Sequence, residues 1–167
     1  FRDERQPVNT QSLVVMIEFM LRCINFSFKS DDILSLAKTG LTDIPDEDIN
    51  ELENYIFLWN INGLKWTKPF ENSTKGFVNE LSEADRNALD KINITREKLI
   101  APLVLLKKIT KTKDSKKISE GIYNTLISYC ADKKVKEYAV LLNKSGFYSL
   151  AQEQGRIWDL VMEILNQ

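Results

Sequence analysis

Histidine is absent from this sequence, and the glycine motifs of phosphate-binding enzymes are absent too. Histidine is the commonest general base and metal ligand, so no Ser-His or Cys-His nucleophile pair and no histidine-containing zinc site can form. The six glycines are scattered, and neither GxGxxG nor GxxxxGK followed by Ser or Thr occurs. We therefore expect no catalysis within this chain.

Cysteine and long hydrophobic runs are also scarce. Cys23 and Cys130 lie far apart and form no CxxC pair, which predicts buried thiols and not a disulfide framework. The longest apolar run, Leu13–Ile17, is too short to span a bilayer. Phe1–Arg5 carry mixed charge where a secretory signal has a basic start, and no initiator Met precedes them. We interpret the chain as a fragment of a longer protein, without a membrane segment.

An excess of positive charge is missing as well. The 23 basic residues are balanced by 24 acidic residues, which gives a formal charge of −1. A free-standing nucleic-acid binder usually has a basic excess, because neutralisation of phosphates drives its affinity. Any contact with DNA is therefore expected to be local or to depend on neighbouring domains.

The hydrophobic pattern of the N-terminal half predicts short helices. A lead-in helix within residues 1–28 is expected to follow a Thr10 or Ser12 cap and to end at the Asn25–Phe28 break. Ser30 is expected to cap a second helix that ends at Gly40. Pro45 and the acidic residues 46–48 are expected to open a third. Residues 60–80 then form the one long irregular loop, rich in Gly, Pro, Asn and Ser.

The C-terminal half also has helical periodicity. One helix is predicted from Ser82 to Ile92, and a second from Thr95 to Ile109, in which Pro102 either kinks the helix or marks its true first turn. The last helices are predicted at 118–131, 135–142 and 148–165. The fold class is therefore all-α: an irregular bundle of about seven or eight helices, forming a single domain over 1–167.

Aromatic and basic residues alternate inside the long loop. Trp59, Lys65, Trp66, Lys68 and Phe70 have the mixture that single-strand stacking platforms use. The alternative is that Trp59 lies in the core while Trp66 and Phe70 pin the loop onto the helices.

Two charged clusters have similar alternatives. Six lysines between Lys107 and Lys117 are either a phosphate- or acid-binding patch or a solvated helix end. Five acids between Asp43 and Glu51 lack the central glycine of a calcium loop, and their position at a helix start explains them better.

Several segments, taken in order, resemble one protein family. They are Phe1–Arg5, Asp31–Leu34, Lys38–Leu41, the stretch Leu52–Phe70, Arg96–Leu99 and Pro102–Leu103. Together they resemble the B subunit of the AddAB-type bacterial helicase–nuclease, which processes broken DNA ends for recombination. The stretch Leu52–Phe70 is the most similar to that family, and the resemblance extends over most of the chain.

The resemblance implies a non-catalytic role in a large DNA-processing complex. The chain would correspond to the inserted helical domain, called 2B, of UvrD-type superfamily 1 helicases, and would contribute to a DNA channel and to subunit contacts. The family's A subunit is the expected partner and holds the ATPase motor, while the B subunit carries a nuclease with an iron–sulfur cluster. ATP, Mg²⁺ and the cluster are thus implied for the parent complex in the bacterial cytoplasm. No residue of this chain matches the ligands of these cofactors.

The segment Lys38–Gly40 resembles the turn that precedes a DNA-binding hairpin in UvrD-type 2B domains. The family's Gly-Ile-Gly is replaced here by Leu41–Pro45, which lacks those glycines and adds an acid. This departure argues against duplex contact through that hairpin. The residues predicted to contact DNA are Lys38, Thr39, Lys65, Trp66 and Lys68.

Two other functions fit the sequence less closely. A free-standing helical module that binds another protein through an apolar groove is the main alternative. An independent hydrolase or transferase has little support, because the chain has no histidine, phosphate loop or cysteine cluster.

Overall fold

A computed structural model describes residues 11–78 and 80–167, and every regular element in these two ranges is helical. The elements are α1 (Ser12–Asn25), α2 (Ser30–Ala37), α3 (Asp46–Leu58), a 3₁₀ helix (Gly63–Thr67), α4 (Glu83–Thr110), α5 (Ser115–Ser128), α6 (Ala131–Lys144) and α7 (Tyr148–Leu165). The predicted irregular all-α bundle is confirmed. Its similarity to a helicase 2B domain and its single-domain organisation stay predictions.

The 28-residue helix α4 is the axis of the fold. Helices α1 and α3 and the 3₁₀ helix pack against it, as does α5, while α6 and α7 form a hairpin that packs on α5. The side chains of Met16, Leu52, Leu99 and Leu103 are fully buried in the common core. Among the described residues, no helix has the length and apolar character needed to cross a bilayer.

The prediction of two helices over residues 82–109 is wrong, because α4 is continuous. Asn93 is a weak helix former, since its side chain often competes for the local backbone. Here its amide bonds the backbone of Phe70 instead. Thr95 also stays helical, and its hydroxyl donates to the carbonyl of Lys91 at 3.1 Å. Pro102 therefore lies inside the helix and does not mark its first turn.

The start of α2 also differs from the prediction. Ser30 is the first helical residue and does not cap the helix; Lys29 occupies the cap position and makes no side-chain bond there. The side chain of Asn62 supplies the missing acceptor, with its Oδ1 3.0 Å from the backbone N of Ser30. Sequence reasoning missed this cap because it comes from a residue 32 positions away. Gly40 has the predicted left-handed backbone (φ 74°), although α2 already ends at Ala37.

The boundaries of the other helices are close to those expected. Helix α1 begins at Ser12, with Gln11 at its cap position, while Thr10 and Phe1–Arg5 lie outside the described residues. The acidic first turn of α3 follows Pro45 as predicted. Asp114 caps α5 by accepting from the backbone of Lys117 at 3.3 Å. Because of this cap, α5 begins three residues before its predicted start, and it also ends three residues early. Helix α6 is longer than predicted, and α7 matches its predicted range.

Tyr129 joins the two halves of the bundle. Its hydroxyl donates to the carbonyl of Leu99 in α4 at 2.6 Å, and its own carbonyl accepts from the backbone N of Asp43 at 3.0 Å. Burial raises the pKa of Tyr129 well above its usual value, so the hydroxyl remains a donor at neutral pH. Gly121 allows α5 to approach α4, since a Cβ there would lie 3.2 Å from the side chains of Leu106 and Ile109.

The long loop is packed down by its own side chains. Trp66 is fully buried, and its Nε1 donates to Ser30 Oγ at 2.9 Å. The Phe70 ring stacks on that of Tyr55 at a centroid distance of 5.0 Å. Arg96 of α4 donates from Nη1 to the carbonyl of Trp66 at 2.9 Å. The second alternative for this loop is therefore correct for Trp66 and Phe70, whereas Trp59, which it placed in the core, is only partly buried.

Asp85 fixes the first turn of α4. It forms a capping box with Ser82, and Lys75 from the loop binds its carboxylate at 2.8 Å. The ion pair with Lys75 and the hydrogen bonds from Ser82 hold the pKa of Asp85 at about 2, below the ordinary 3.8.

We predict that Trp66→Ala lowers the free energy of unfolding by about 3–5 kcal/mol, because it removes a large buried side chain and leaves a cavity. Leu64→Ala, two residues away on an exposed position, serves as the control and should change it by less than about 0.5 kcal/mol. Urea unfolding followed by tryptophan fluorescence and by circular dichroism measures both. Equal effects of the two substitutions would contradict the packing described here.

We also predict a pH-dependent contribution from Asp85. Since its pKa is lower in the folded state, its stabilising effect is present above about pH 4 and disappears as the pH falls towards 2. Asp85→Asn should therefore destabilise the protein at pH 7, and the difference from wild type should shrink below pH 4. Urea unfolding across this pH range tests this, with Asp90→Asn in the same helix as the control. A difference that is constant with pH would refute it.

Candidate functional site

The structure separates the predicted DNA-contact residues of the loop by exposure. Lys65 and Lys68 are exposed, whereas the side chain of Trp66 between them is fully buried. Lys65 Nζ donates to the carbonyl of Asn60 at 3.1 Å, which leaves its charge without a carboxylate among its described contacts. The indole of Trp66 has no free face for stacking on a base in this conformation. Contact of DNA with Lys65 and Lys68 stays a prediction.

Lys38 and Thr39 lie at the C-terminal end of α2 and have intramolecular partners. Lys38 forms an ion pair with Glu53 of α3. Thr39 donates from its hydroxyl to the carbonyl of Leu36 at 2.8 Å, as residues at a helix end often do. These contacts explain both residues structurally, and their contact with DNA stays a prediction.

Trp59 is half-buried at the end of α3. Its Nε1 donates to the carbonyl of Ser73 at 2.8 Å, and the ring of Phe77 meets it edge-on at 5.0 Å. Phe77 itself is 96% exposed. Trp59 therefore holds the second part of the loop, and its ring is partly covered.

The acidic cluster near the start of α3 is used within the protein. Asp48 and Glu51 bind Lys91 of α4 at 2.9 and 3.1 Å. Lys91 donates hydrogen bonds to both carboxylates, and these raise the pKa of Lys91 above its usual value, with Asp48 making the larger contribution. Within residues 11–78 and 80–167, no group of three or more acidic or cysteine side chains is arranged to hold a metal ion.

The lysines between Lys107 and Lys117 have different environments. Lys117 pairs with Asp114 at 3.3 Å within the first turn of α5. Lys107 is half-buried, and its Nζ lies 4.7 Å from the centroid of the Phe28 ring. The others are exposed, as expected for a solvated helix end, so Lys107 is the member with a distinct environment.

The turn between α1 and α2 has features that sequence reasoning missed. Ser27 and Phe28 both have left-handed backbones, with φ of 56° and 64°, which is unusual for a bulky aromatic residue. Phe28 is buried, whereas Phe26 is 54% exposed, with Lys29 Nζ 5.4 Å from its ring centroid. The sequence marks this turn only as a break in a helix. The sequence feature that could have drawn attention to this turn is the pair Phe26 and Phe28 followed by Lys29.

Helices α6 and α7, with the turn between them, leave several large apolar side chains exposed. They are Tyr138, Val140, Leu141, Phe147, Tyr148, Leu160 and Ile164. A shallow groove of about 470 Å³ is lined by Lys136, Glu137, Val140 and Leu141. We call the seven side chains the α6–α7 apolar surface. The sequence indicates this surface, because α6 and α7 contain more apolar residues than the single stripe that a surface helix buries.

Cys23 does not have the environment of a reactive thiolate. Cys23 is fully buried. Its burial, and to a smaller extent the nearby negative charge of Asp32, raises the pKa of the Cys23 thiol to about 12. Cys23 is therefore protonated at neutral pH. Both cysteines are free thiols, but the prediction that both are buried is correct only for Cys23, because Cys130 is partly exposed.

Comparison with known proteins identifies the family. No protein-family model matches the chain. The B subunit of the ATP-dependent helicase/deoxyribonuclease of Clostridium botulinum (strain Loch Maree / Type A3) is 30% identical over 170 residues, covering all of this chain and 15% of that protein. Proteins of the same name from Clostridium novyi (strain NT) and Alkaliphilus oremlandii (strain OhILAs) are 30% and 29% identical, again over all of this chain.

The chain spans about 15% of the length of the curated relatives it matches. The similarity nevertheless extends over all of its residues and agrees with the resemblance predicted from the sequence. Over its whole length, this chain corresponds to a segment of the B subunit of the ATP-dependent helicase/deoxyribonuclease.

Proposed function

We propose that this chain is a non-catalytic helical part of the B subunit of a helicase–nuclease and contributes to the processing of DNA ends for repair. The observation that carries the proposal is the similarity of the entire chain to proteins of that name. The sequence supports a non-catalytic role because it has no histidine and no phosphate-binding loop.

We propose that the cofactors implied for the parent complex are bound outside this chain. An iron–sulfur cluster is held by cysteine thiolates, whereas Cys23 is buried and protonated. ATP and Mg²⁺ need a phosphate cradle and oxygen ligands, and the sequence has no such motif. The contribution of this chain would then be to shape surfaces for DNA and for other parts of the protein.

We further propose that the α6–α7 apolar surface contacts protein in the assembled complex, either the rest of the same polypeptide or the partner A subunit. Exposed apolar side chains that gather on two neighbouring helices are typical of protein interaction sites. The same observation would serve a free-standing interaction module, the alternative function. Similarity to much longer proteins over every residue of this chain favours a place inside a larger assembly.

We predict that the full-length protein containing this chain, together with its partner subunit, degrades linear duplex DNA only when ATP is present. Covalently closed circular DNA of the same sequence is the control and should resist, because it offers no end. Release of acid-soluble nucleotides measures the reaction. ATP-independent degradation, or no degradation of either substrate, would refute the proposed function.

We predict that Leu141→Asp in the full-length protein weakens assembly roughly tenfold or more, since a charge would replace an apolar anchor in the contact. Ile94→Asp is the matched control, because Leu141 and Ile94 are each 59% exposed and lie on different helices. Size-exclusion chromatography measures association with the partner subunit, and limited proteolysis reports docking within the same polypeptide. Wild-type behaviour of Leu141→Asp in both assays would rule out the α6–α7 apolar surface as the contact.

A further inference from the structure

The turn between α1 and α2, the 3₁₀ helix and the end of α4 meet at one surface. The backbone N of Gly63 donates to the carbonyl of Phe28 at 3.1 Å, which joins the turn to the 3₁₀ helix. Gly63 has a φ of 63°, a left-handed backbone conformation that favours glycine at this junction. Lys107 of α4 contacts this turn as well, with its Nζ 4.7 Å from the centroid of the Phe28 ring.

Three lysines on these three elements have no carboxylate partner among the described residues. Lys29 and Lys107 lie against the rings of Phe26 and Phe28, and Lys65 donates to a backbone carbonyl. Lys38 and Lys91, by comparison, pair with carboxylates of α3, so the distinguishing feature of Lys29 and Lys107 is their contact with aromatic rings. The chain as a whole has a charge of −1, so any attraction of phosphate to these lysines is local and does not reflect a general basic excess.

Apolar side chains that lie close to Lys29 and Lys65 in the sequence are exposed. Phe26 is 54% exposed and Leu64, the second residue of the 3₁₀ helix, is 67% exposed. The left-handed backbones of Ser27 and Phe28 place one phenylalanine in the core and leave the other in solvent. Such strained backbone conformations are concentrated at binding sites, where the surrounding structure maintains them. We call Phe26, Lys29, Leu64, Lys65 and Lys107 the Phe26 surface.

We propose that the Phe26 surface binds single-stranded DNA. An exposed aromatic ring provides a face for one base, and the surrounding lysines neutralise phosphates on either side, which is the combination that sequence-independent single-strand binders use. The choice of DNA over RNA rests on the proposed function. The site differs from the platform predicted in the long loop: it shares Lys65 with that platform, and its aromatic ring is accessible.

The test uses the full-length protein in complex with its partner subunit and a labelled oligo-thymidylate as the probe. Lys29→Gln with Lys65→Gln should make the slope of log affinity against log salt less negative by roughly 0.7 for each lysine removed. Lys133→Gln with Lys144→Gln, two exposed lysines of α6, is the control and should leave the slope unchanged. A slope identical to wild type in both double variants would overturn the proposal.

Phe26 gives an independent test of stacking. Phe26→Ala should lower affinity about fivefold or more without changing the salt slope, and Phe26→Trp should restore it. Ultraviolet crosslinking of a bromouracil-substituted oligonucleotide should modify the peptide that contains Phe26. Wild-type affinity of Phe26→Ala, or crosslinks confined to other peptides, would refute this surface.

The outcomes separate this proposal from the proposed function. A complex that degrades DNA ends but shows unchanged oligonucleotide binding in the variants would reject the Phe26 surface alone. Loss of assembly with the partner subunit in these variants would instead identify the surface as a protein interface, which also overturns the proposal.

Discussion

The buried guanidinium of Arg96 is the interaction on which the N-terminal half of the structure depends. Burying a charge is costly unless its donors are satisfied, and here Nη1 binds the carbonyl of Trp66, Nε binds Asn93 and Nη2 binds Glu97. The Arg96 guanidinium also lies 5.7 Å from the centroid of the Phe70 ring. One side chain of α4 therefore fixes both ends of the segment 66–70. The position of this segment in turn orders the 3₁₀ helix and, through Asn62 and Gly63, the start of α2 and the turn before it.

The same contacts explain why α4 is one long helix. Asn93 would favour a helix end in isolation, but its amide is occupied by the backbone of Phe70 on both its donor and acceptor sides. Local propensity, worth a fraction of a kcal/mol per residue, is outweighed by packing and by satisfied polar groups. The continuous helix then provides a common support for the loop on one side and, through Gly121, for α5 on the other.

The two proposed contact surfaces lie on different parts of this framework. The Phe26 surface is formed by the turn and the 3₁₀ helix that Arg96 holds in place. The α6–α7 apolar surface belongs to the hairpin that packs on α5. A protein that carries DNA on one surface and docks through another would need a rigid connection between them, and α4 with Tyr129 provides it through the hydrogen bonds to Leu99 and Asp43.

The sequence by itself determined the helical class, because apolar residues recur at helical spacing in every segment from α1 to α7. It also determined the acidic start of α3, the left-handed Gly40 and the family, through residues that act locally or in order along the chain. The tertiary structure alone decided which aromatics are accessible: Trp66 is buried and Phe26 is exposed, although each lies within three residues of a lysine in the sequence. It also decided that Asn62 caps α2 and that Asn93 does not end a helix. These outcomes depend on partners far away in the chain, and no local pattern specifies which distant backbone group a side chain will meet.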